Sequence, residues 1–384
     1  MEPNDASGMG RASMPNLTGE TPVRCKFCNN DVDNYLKQGS VYCPFCGAVI
    51  NAARTPGQQS KDSNLLTGRA LWPAKWSVLG VVLGMLLLLA FGIMIPVIIV
   101  IAVIAPNPEP YLSDPTALEQ LIVQLLLNPW STALLSLTEF GLIVPPIVVL
   151  KKYRKSFKER IMLLGWRPYF GEPARGQTGW PRFARDIGFS TFLAVAMVGF
   201  QFLVVILNDA IWAPLIPASD PLAGLDQSIT PQDPFQFMAL VASMLLVIGP
   251  TEEMLFRGFA QQGLEAHTSE RNAWFISVLM FTIVHVTSGF VELSLLPYMF
   301  FPYFYLSMVF CAIYTKTKNL NLMIFIHGIY DALLVLLSYI GSASELAAIV
   351  YMSVCCVVCF AAGVYYLYRW IFAGKKTSTV VTTL

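Results

Sequence analysis

Six ionisable side chains stand inside apolar runs where a hydrocarbon-crossing helix would ordinarily carry none. Glu252, Glu253 and Arg257 fall in "GPTEEMLFRGF", directly after the apolar "PFQFMALVASMLLVI". His285 falls in "FTIVHV", and His327 and Asp331 fall in "FIHGIYDA". A carboxylate at such a depth costs at least ~2.5 kcal/mol, so each one needs a partner or a wet cavity. Glu253 and Arg257 are spaced i, i+4 and share a helix face, so they can pair. Glu252 sits about 100° around the helix and is left available. In the structural alternative both glutamates simply clamp Arg257 at a helix end. One carboxylate with two imidazoles supports two kinds of chemistry. The carboxylate can take a proton from water while a neutral imidazole orients it, with the second imidazole and Asp331 stabilising an oxyanion. Alternatively, two histidines and a carboxylate can hold Zn²⁺ with an open fourth position. No His-Glu-x-x-His run occurs, and no Ser or Cys nucleophile stands beside either histidine. Hydrolysis by activated water is the reaction class that fits.

The elements that carry these residues are membrane helices. The chain has 384 residues, of which 55% are hydrophobic and 13% charged, against about one quarter charged in soluble domains. The net charge of +1 leaves no nucleic-acid footprint. The expected fold is an all-α polytopic bundle of about eight spans, at 76–104, 131–150, 186–207, 235–265, 272–288, 293–314, 320–340 and 346–372. The stretches Pro106–Trp130 and Asn208–Pro234 hold no Lys or Arg, whereas Lys151–Arg185 holds ten. The positive-inside rule therefore places both termini in the cytosol. Glu252 then lies ~25 Å along the fourth span, His285 ~20 Å and His327 ~12 Å from their cytosolic ends, so a shared site is geometrically feasible. His267 falls in a cytosolic loop and is expected to be solvated. Cys311, Cys355, Cys356 and Cys359 read as packing residues. Glu139, in "LLSLTEFGLIVPP", reads either as a further polar cavity residue or as a partner to a kink near Pro145 and Pro146. The aromatic and basic Lys151–Arg185 segment reads as a topology signal, or as an interfacial segment held on anionic lipid.

Ahead of the bundle, "CKFCNNDVDNYLKQGSVYCPFCG" resembles a zinc ribbon. Cys25 with Cys28 and Cys43 with Cys46 form two Cys-x-x-Cys turns, which together supply the four thiolates of a closed structural Zn²⁺ site. Cytosolic placement disfavours the alternative of disulfides, and a redox dithiol lacks its βαβ setting. Residues 1–22 read as a flexible tail, 23–50 as the ribbon, 51–74 as a linker, 75–372 as the bundle and 373–384 as a cytosolic tail. The ribbon offers a docking place for a protein partner.

Three motifs on separate spans, taken in order, resemble the CPBP family of intramembrane endopeptidases, which includes type-2 CAAX prenyl proteases and bacteriocin-processing or immunity proteins. "EEMLFR" fits Glu-Glu-x-x-x-Arg, "FTIVH" fits Phe-x-x-x-His, and "HGIYD" fits His-x-x-x-Asn/Asp. The likeness spans roughly 180–340. It implies a helical bundle whose cavity opens to the cytosol. It also implies that Glu252 and His285 activate water, that His327 and Asp331 stabilise an oxyanion, and that Glu253 and Arg257 shape the site. Many relatives carry Asn where this chain has Asp331; Asn donates a hydrogen bond at any pH, Asp only when protonated. The substrate implied is a lipidated or membrane-embedded polypeptide, reached from the membrane or the cytosol. A chain with an added ribbon fits a prokaryotic plasma-membrane member better than the eukaryotic prenyl protease. The alternative is a catalytically silent scaffold or immunity protein of the same fold. A transporter is disfavoured, because no internal repeat or broken-helix pair is visible. Metal analysis of the purified chain is expected to give about one Zn²⁺ per chain, lost when Cys25 and Cys43 are both replaced by Ser. Zinc retained in that double variant would move the metal elsewhere.

Overall fold

A computed structural model describes residues 72–104, 106–109, 114–126, 128–153, 156–166, 169, 180–212, 214, 229–288 and 296–373. The chain divides into two units, Met1–Thr67 with Glu172–Gln177 and Gly68–Gly171 with Thr178–Leu384, and all described residues belong to the second. The expected tail, the ribbon with Cys25, Cys28, Cys43 and Cys46, most of the 51–74 linker and the C-terminal tail lie outside the described residues.

Among the described residues the regular elements are all helical. They are α1 (Ala74–Ile104), α2 (Pro115–Leu126), α3 (Pro129–Lys151), α4 (Phe157–Leu163), α5 (Trp180–Trp212), α6 (Pro234–Glu265), α7 (Glu270–Ser288), α8 (Leu296–Thr317), α9 (Leu320–Ala343) and α10 (Glu345–Ala373). Six of these are long and apolar enough to cross a membrane: α1, α3, α5, α6, α9 and the Glu345–Tyr366 part of α10. The expected count of eight is not reached by that standard. The fifth and sixth expected spans form as α7 and α8, but α7 has 19 residues and opens on Glu270, Arg271 and Asn272. The outer faces are apolar where water would penalise them: Leu346 is 72%, Val357 68% and Phe360 75% exposed along one helix. Such a surface belongs in hydrocarbon, and the protein is a multi-pass integral membrane protein.

Local signals set the ends of the helices that matter most. Asp233 caps α6 by accepting hydrogen bonds from the Phe235 and Gln236 amides, and Pro234 occupies the first turn, where no amide is needed. Asn319 caps α9 through the Leu322 amide. Between the spans, the Tyr169 hydroxyl donates to Asp186 at 3.0 Å. Burial, and then the charge of Asp186, pushes that phenol above its ordinary range.

Helix α6 is central and packs on α1, α3, α7 and α9. Its C-terminal part is anchored by the segment just ahead of α1. Trp72, expected in the linker, is fully buried and stacks on Phe259 with ring centroids 5.0 Å apart, and its indole donates to the Phe259 carbonyl at 3.2 Å. The contact with α9 is closer still. A Cβ added to Gly249 would lie 2.9 Å from the Gly328 nitrogen, and one on Gly328 would lie 3.0 Å from Leu245 Cα and from the Met244 carbonyl oxygen. The two backbones touch here, which sets Glu252 and Glu253, one turn past Gly249, beside His327. Replacing Gly328 with Val should force this crossing apart at a cost of about 1–3 kcal/mol. A lowered thermal unfolding midpoint in lipid is the expected readout, and an unchanged midpoint would show that the crossing yields without strain.

Candidate active site

The stretch that carries the two glutamates is not a uniform α-helix. Wide π-helical turns at Met244–Ile248 and Met254–Gln261 flank a short α segment, Gly249–Glu253. Pro250 has no amide to donate into the ladder. The neighbouring Thr251 hydroxyl bonds back into the preceding turn, donating to the Val247 carbonyl at 2.8 Å and to the Ile248 carbonyl at 3.2 Å. Widened turns of this kind re-aim side chains and recur at functional positions. Here both glutamates point inward: Glu252 is 7% and Glu253 0% exposed, and Arg257 is 0% exposed.

Glu253 binds on two sides. Its Oε1 accepts from Arg257 Nη1 at 2.8 Å and from His327 Nδ1 at 2.7 Å. The clamp of both glutamates on Arg257 is not formed, because Glu252 turns the other way, towards the histidines. The guanidinium lies over the rings of Phe281 at 4.3 Å and Phe310 at 4.9 Å, within range of cation–π attraction. Phe281 does double duty. It stacks on His285 with centroids 4.0 Å apart, and its carbonyl accepts from His285 Nδ1 at 2.9 Å.

These partners fix both imidazoles. A carbonyl only accepts, so Nδ1 of His285 carries a hydrogen and its Nε2 faces inward. The Arg257-paired carboxylate of Glu253 likewise takes the Nδ1 hydrogen of His327, turning that Nε2 inward as well. Glu252 Oε2 lies 3.4 Å from His285 Nε2 and 3.8 Å from His327 Nε2, and His327 Nε2 lies 3.4 Å from Asp331 Oδ2. Glu252 Oε2 is buried and receives no hydrogen bond from the protein. If both imidazoles are neutral, two inward lone pairs face a carboxylate. Such a gap calls for a hydrogen donor between them.

All six candidate residues therefore meet in one place, although they come from three helices. His267 is exposed, as expected, with its Nε2 2.9 Å from the Trp72 carbonyl oxygen. Among the described residues no group of three or more His, Cys, Asp or Glu side chains is arranged to hold a metal ion, so the zinc alternative for this site gains no support.

Residues 234–333 match the family model described as Type II CAAX prenyl endopeptidase Rce1-like. No curated protein and no solved structure matches the chain. The matched stretch contains α6, α7, α8 and the part of α9 that carries His327 and Asp331, which is every residue of the cluster. It supports a CAAX-type intramembrane peptidase. Helices α1 to α5 and the Cys-x-x-Cys pairs lie outside it.

Sequence reasoning overlooked the aromatic wall from α8. The Tyr303 ring lies 5.1 Å from His285, and the charges of Asp331 and Glu252 both act on its phenol. Phe310 lies 4.9 Å from His327. A signal was available: Tyr303, Ser307, Phe310 and Tyr314 recur at helical spacing on one face. In a run as aromatic as "YMFFPYFYLSMVF" that face does not stand out.

Removing Arg257 would leave the carboxylate of Glu253 buried without its counter-charge. Arg257→Met should destabilise the protein by about 3–5 kcal/mol. The double variant with Glu253→Gln should lose less than Arg257→Met alone, measured by unfolding in a fixed detergent. With Glu253→Gln also measured alone, a double-variant loss equal to the sum of the two single losses would show that the pair is not coupled.

Proposed function

We propose that the protein is an intramembrane endopeptidase that hydrolyses peptide bonds of membrane-associated or lipidated polypeptides, in the manner of CAAX processing. The observation that carries this reading is the placement of Glu252. Its Oε2 is buried, receives no hydrogen bond from the protein, and has an imidazole Nε2 at 3.4 Å on one side and another at 3.8 Å on the other.

In the proposed reaction a water between Glu252 and His285 gives its proton to the Glu252 carboxylate as its oxygen attacks the scissile carbonyl. His285 is held for this by Phe281, through both its ring and its backbone oxygen. His327, tethered through Nδ1 to Glu253, directs Nε2 at the same space. As an imidazolium it presents an N–H to the developing oxyanion. Asp331 then acts on the ring of His327 at 3.4 Å rather than as a direct donor. Glu253 and Arg257 touch no reacting atom; they set the tilt of His327 and complete its charge.

Outside the bundle, Cys25, Cys28, Cys43 and Cys46 are proposed to hold one structural Zn²⁺, making the N-terminal segment a docking module rather than part of the reaction. Both termini are proposed to face the cytosol of a prokaryotic cell, so that the site opens to that side.

The test is turnover of a prenylated CAAX reporter peptide by the purified full-length chain. Glu252→Gln and His285→Ala should each lower kcat by about 100-fold or more, with their thermal midpoints held near that of the parent. Wild-type turnover in both variants would rule out the water-activation mechanism.

A further inference from the structure

Four carboxyl groups converge in this part of the bundle, and the reaction proposed for Glu252 uses three. The fourth is Glu139. It closes a 3₁₀ turn, Ser136–Glu139, in the middle of α3. That turn packs on the Met244–Ile248 turn of α6, and the following Phe140–Lys151 segment packs on Gly249–Glu253. The Ser243 hydroxyl ties the two helices, donating to the Ala133 carbonyl at 3.4 Å. Glu139 Oε2 is inaccessible to solvent and receives no hydrogen bond from the protein. Glu252 from α6, and His327 and Asp331 from α9, are close enough to act on it electrostatically. Helix α1, which also packs on the 3₁₀ turn, carries no ionisable side chain beyond Lys75 at its start.

A charge count then places a proton. The cluster holds Glu139, Glu252, Glu253 and Asp331 against Arg257, His285 and His327. Even with both imidazoles cationic, four carboxylates would face three positive charges. Low-dielectric surroundings penalise an uncompensated charge heavily, so at least one carboxyl carries a proton. Glu253 pairs with Arg257, while Glu252 and Asp331 each have an imidazole Nε2 at 3.4 Å, which offsets their charge when that ring is protonated. Glu139 has no ion pair among the described residues.

We propose that Glu139 is the acid of this site: it holds the proton that the cluster cannot neutralise and delivers it to the leaving amine. In balance, the water oxygen bonds to the carbonyl carbon and its proton passes to Glu252. When the tetrahedral intermediate collapses, the C–N bond breaks, its electron pair goes to nitrogen, and nitrogen takes the proton from Glu139. The proton held on Glu252 then returns to the Glu139 carboxylate. One water is consumed and both carboxyl groups are restored. The delivery step rests on the endopeptidase reading; the stored proton does not.

Two measurements on the full-length chain in lipid nanodiscs separate them. Infrared difference spectra should show one protonated-carboxyl C=O band that Glu139→Gln removes and Glu139→Asp shifts. A band unchanged by both variants overturns the proposal. With the prenylated reporter, Glu139→Gln should lower kcat about 100-fold while KM stays the same, and it should erase the alkaline limb of the pH–kcat profile. Glu139→Asp should recover part of the rate. An unchanged kcat in Glu139→Gln overturns the delivery step. A wild-type chain that cleaves nothing, with the band still lost in Glu139→Gln, retires the endopeptidase reading and upholds the stored proton.

Discussion

A carboxylate shared between a guanidinium and an imidazole, all nearly sealed from solvent, holds this bundle to one geometry. Glu253 accepts from Arg257 at 2.8 Å and from His327 at 2.7 Å. Removing either donor would strand a charge in a medium that cannot solvate it. The interaction therefore links the register of α6 to that of α9 and sets which nitrogen of His327 points inward. It also explains the aromatic surroundings. With one guanidinium nitrogen bound to Glu253, the flat face of Arg257 is left to Phe281 and Phe310, which attract it without adding another charge. Phe281 then has its own constraint passed on, since the same ring supports His285. Three helices are thereby joined through one ion pair.

The glycine crossing and the π turns make that interaction reachable. Side chains as short as Glu and His bridge two helices directly only where the backbones come close, and Gly249 against Gly328 brings them to contact. In a straight α-helix adjacent residues diverge by about 100°. Glu252 and Glu253 lie in the α segment between two widened turns and diverge accordingly, Glu253 towards Arg257 and His327 and Glu252 towards the Nε2 atoms of His285 and His327, so that both are buried while Arg257 keeps its i, i+4 bond to Glu253. A proline that cannot donate interrupts the ladder here, and the Thr251 hydroxyl adds bonds to the Val247 and Ile248 carbonyls beside it.

Much of this was legible in the sequence, for a specific reason. Charged residues in an apolar run carry a large solvation cost, so Glu252, Glu253, Arg257, His285, His327 and Asp331 stood out, and the Glu253–Arg257 spacing gave their pairing. What spacing could not give was the second partner of Glu253, because a contact between α6 and α9 depends on a crossing point that two glycines mark only weakly. The π turns were hidden for a similar reason: hydropathy along "ASMLLVIGPTEEM" is the same for either helix type. Tyr303 and Phe310 were hidden by abundance, as aromatic residues also fill lipid-facing positions. Eight spans were expected, and six helices among the described residues are long and apolar enough to cross a membrane; α7, for one, opens on Glu270, Arg271 and Asn272 while its centre stays apolar.

The stretch that matches the family model does not contain every element packed around this cluster. Residues 234–333 supply both histidines and the glutamate pair. Yet α6 presents further faces, and they are covered by α1 and α3. Trp72 fixes the start of α1 against Phe259, two residues past Arg257, while Glu139 from α3 is coupled electrostatically to Glu252, His327 and Asp331. Without α1 and α3, the faces of α6 that they cover, including the one that carries Phe259, would lose their burial. Helix α1 thus acts through burial, whereas α3 adds a carboxyl group to the charge balance of the cluster. The electrostatic unit of this protein is therefore larger than the segment that carries its motifs.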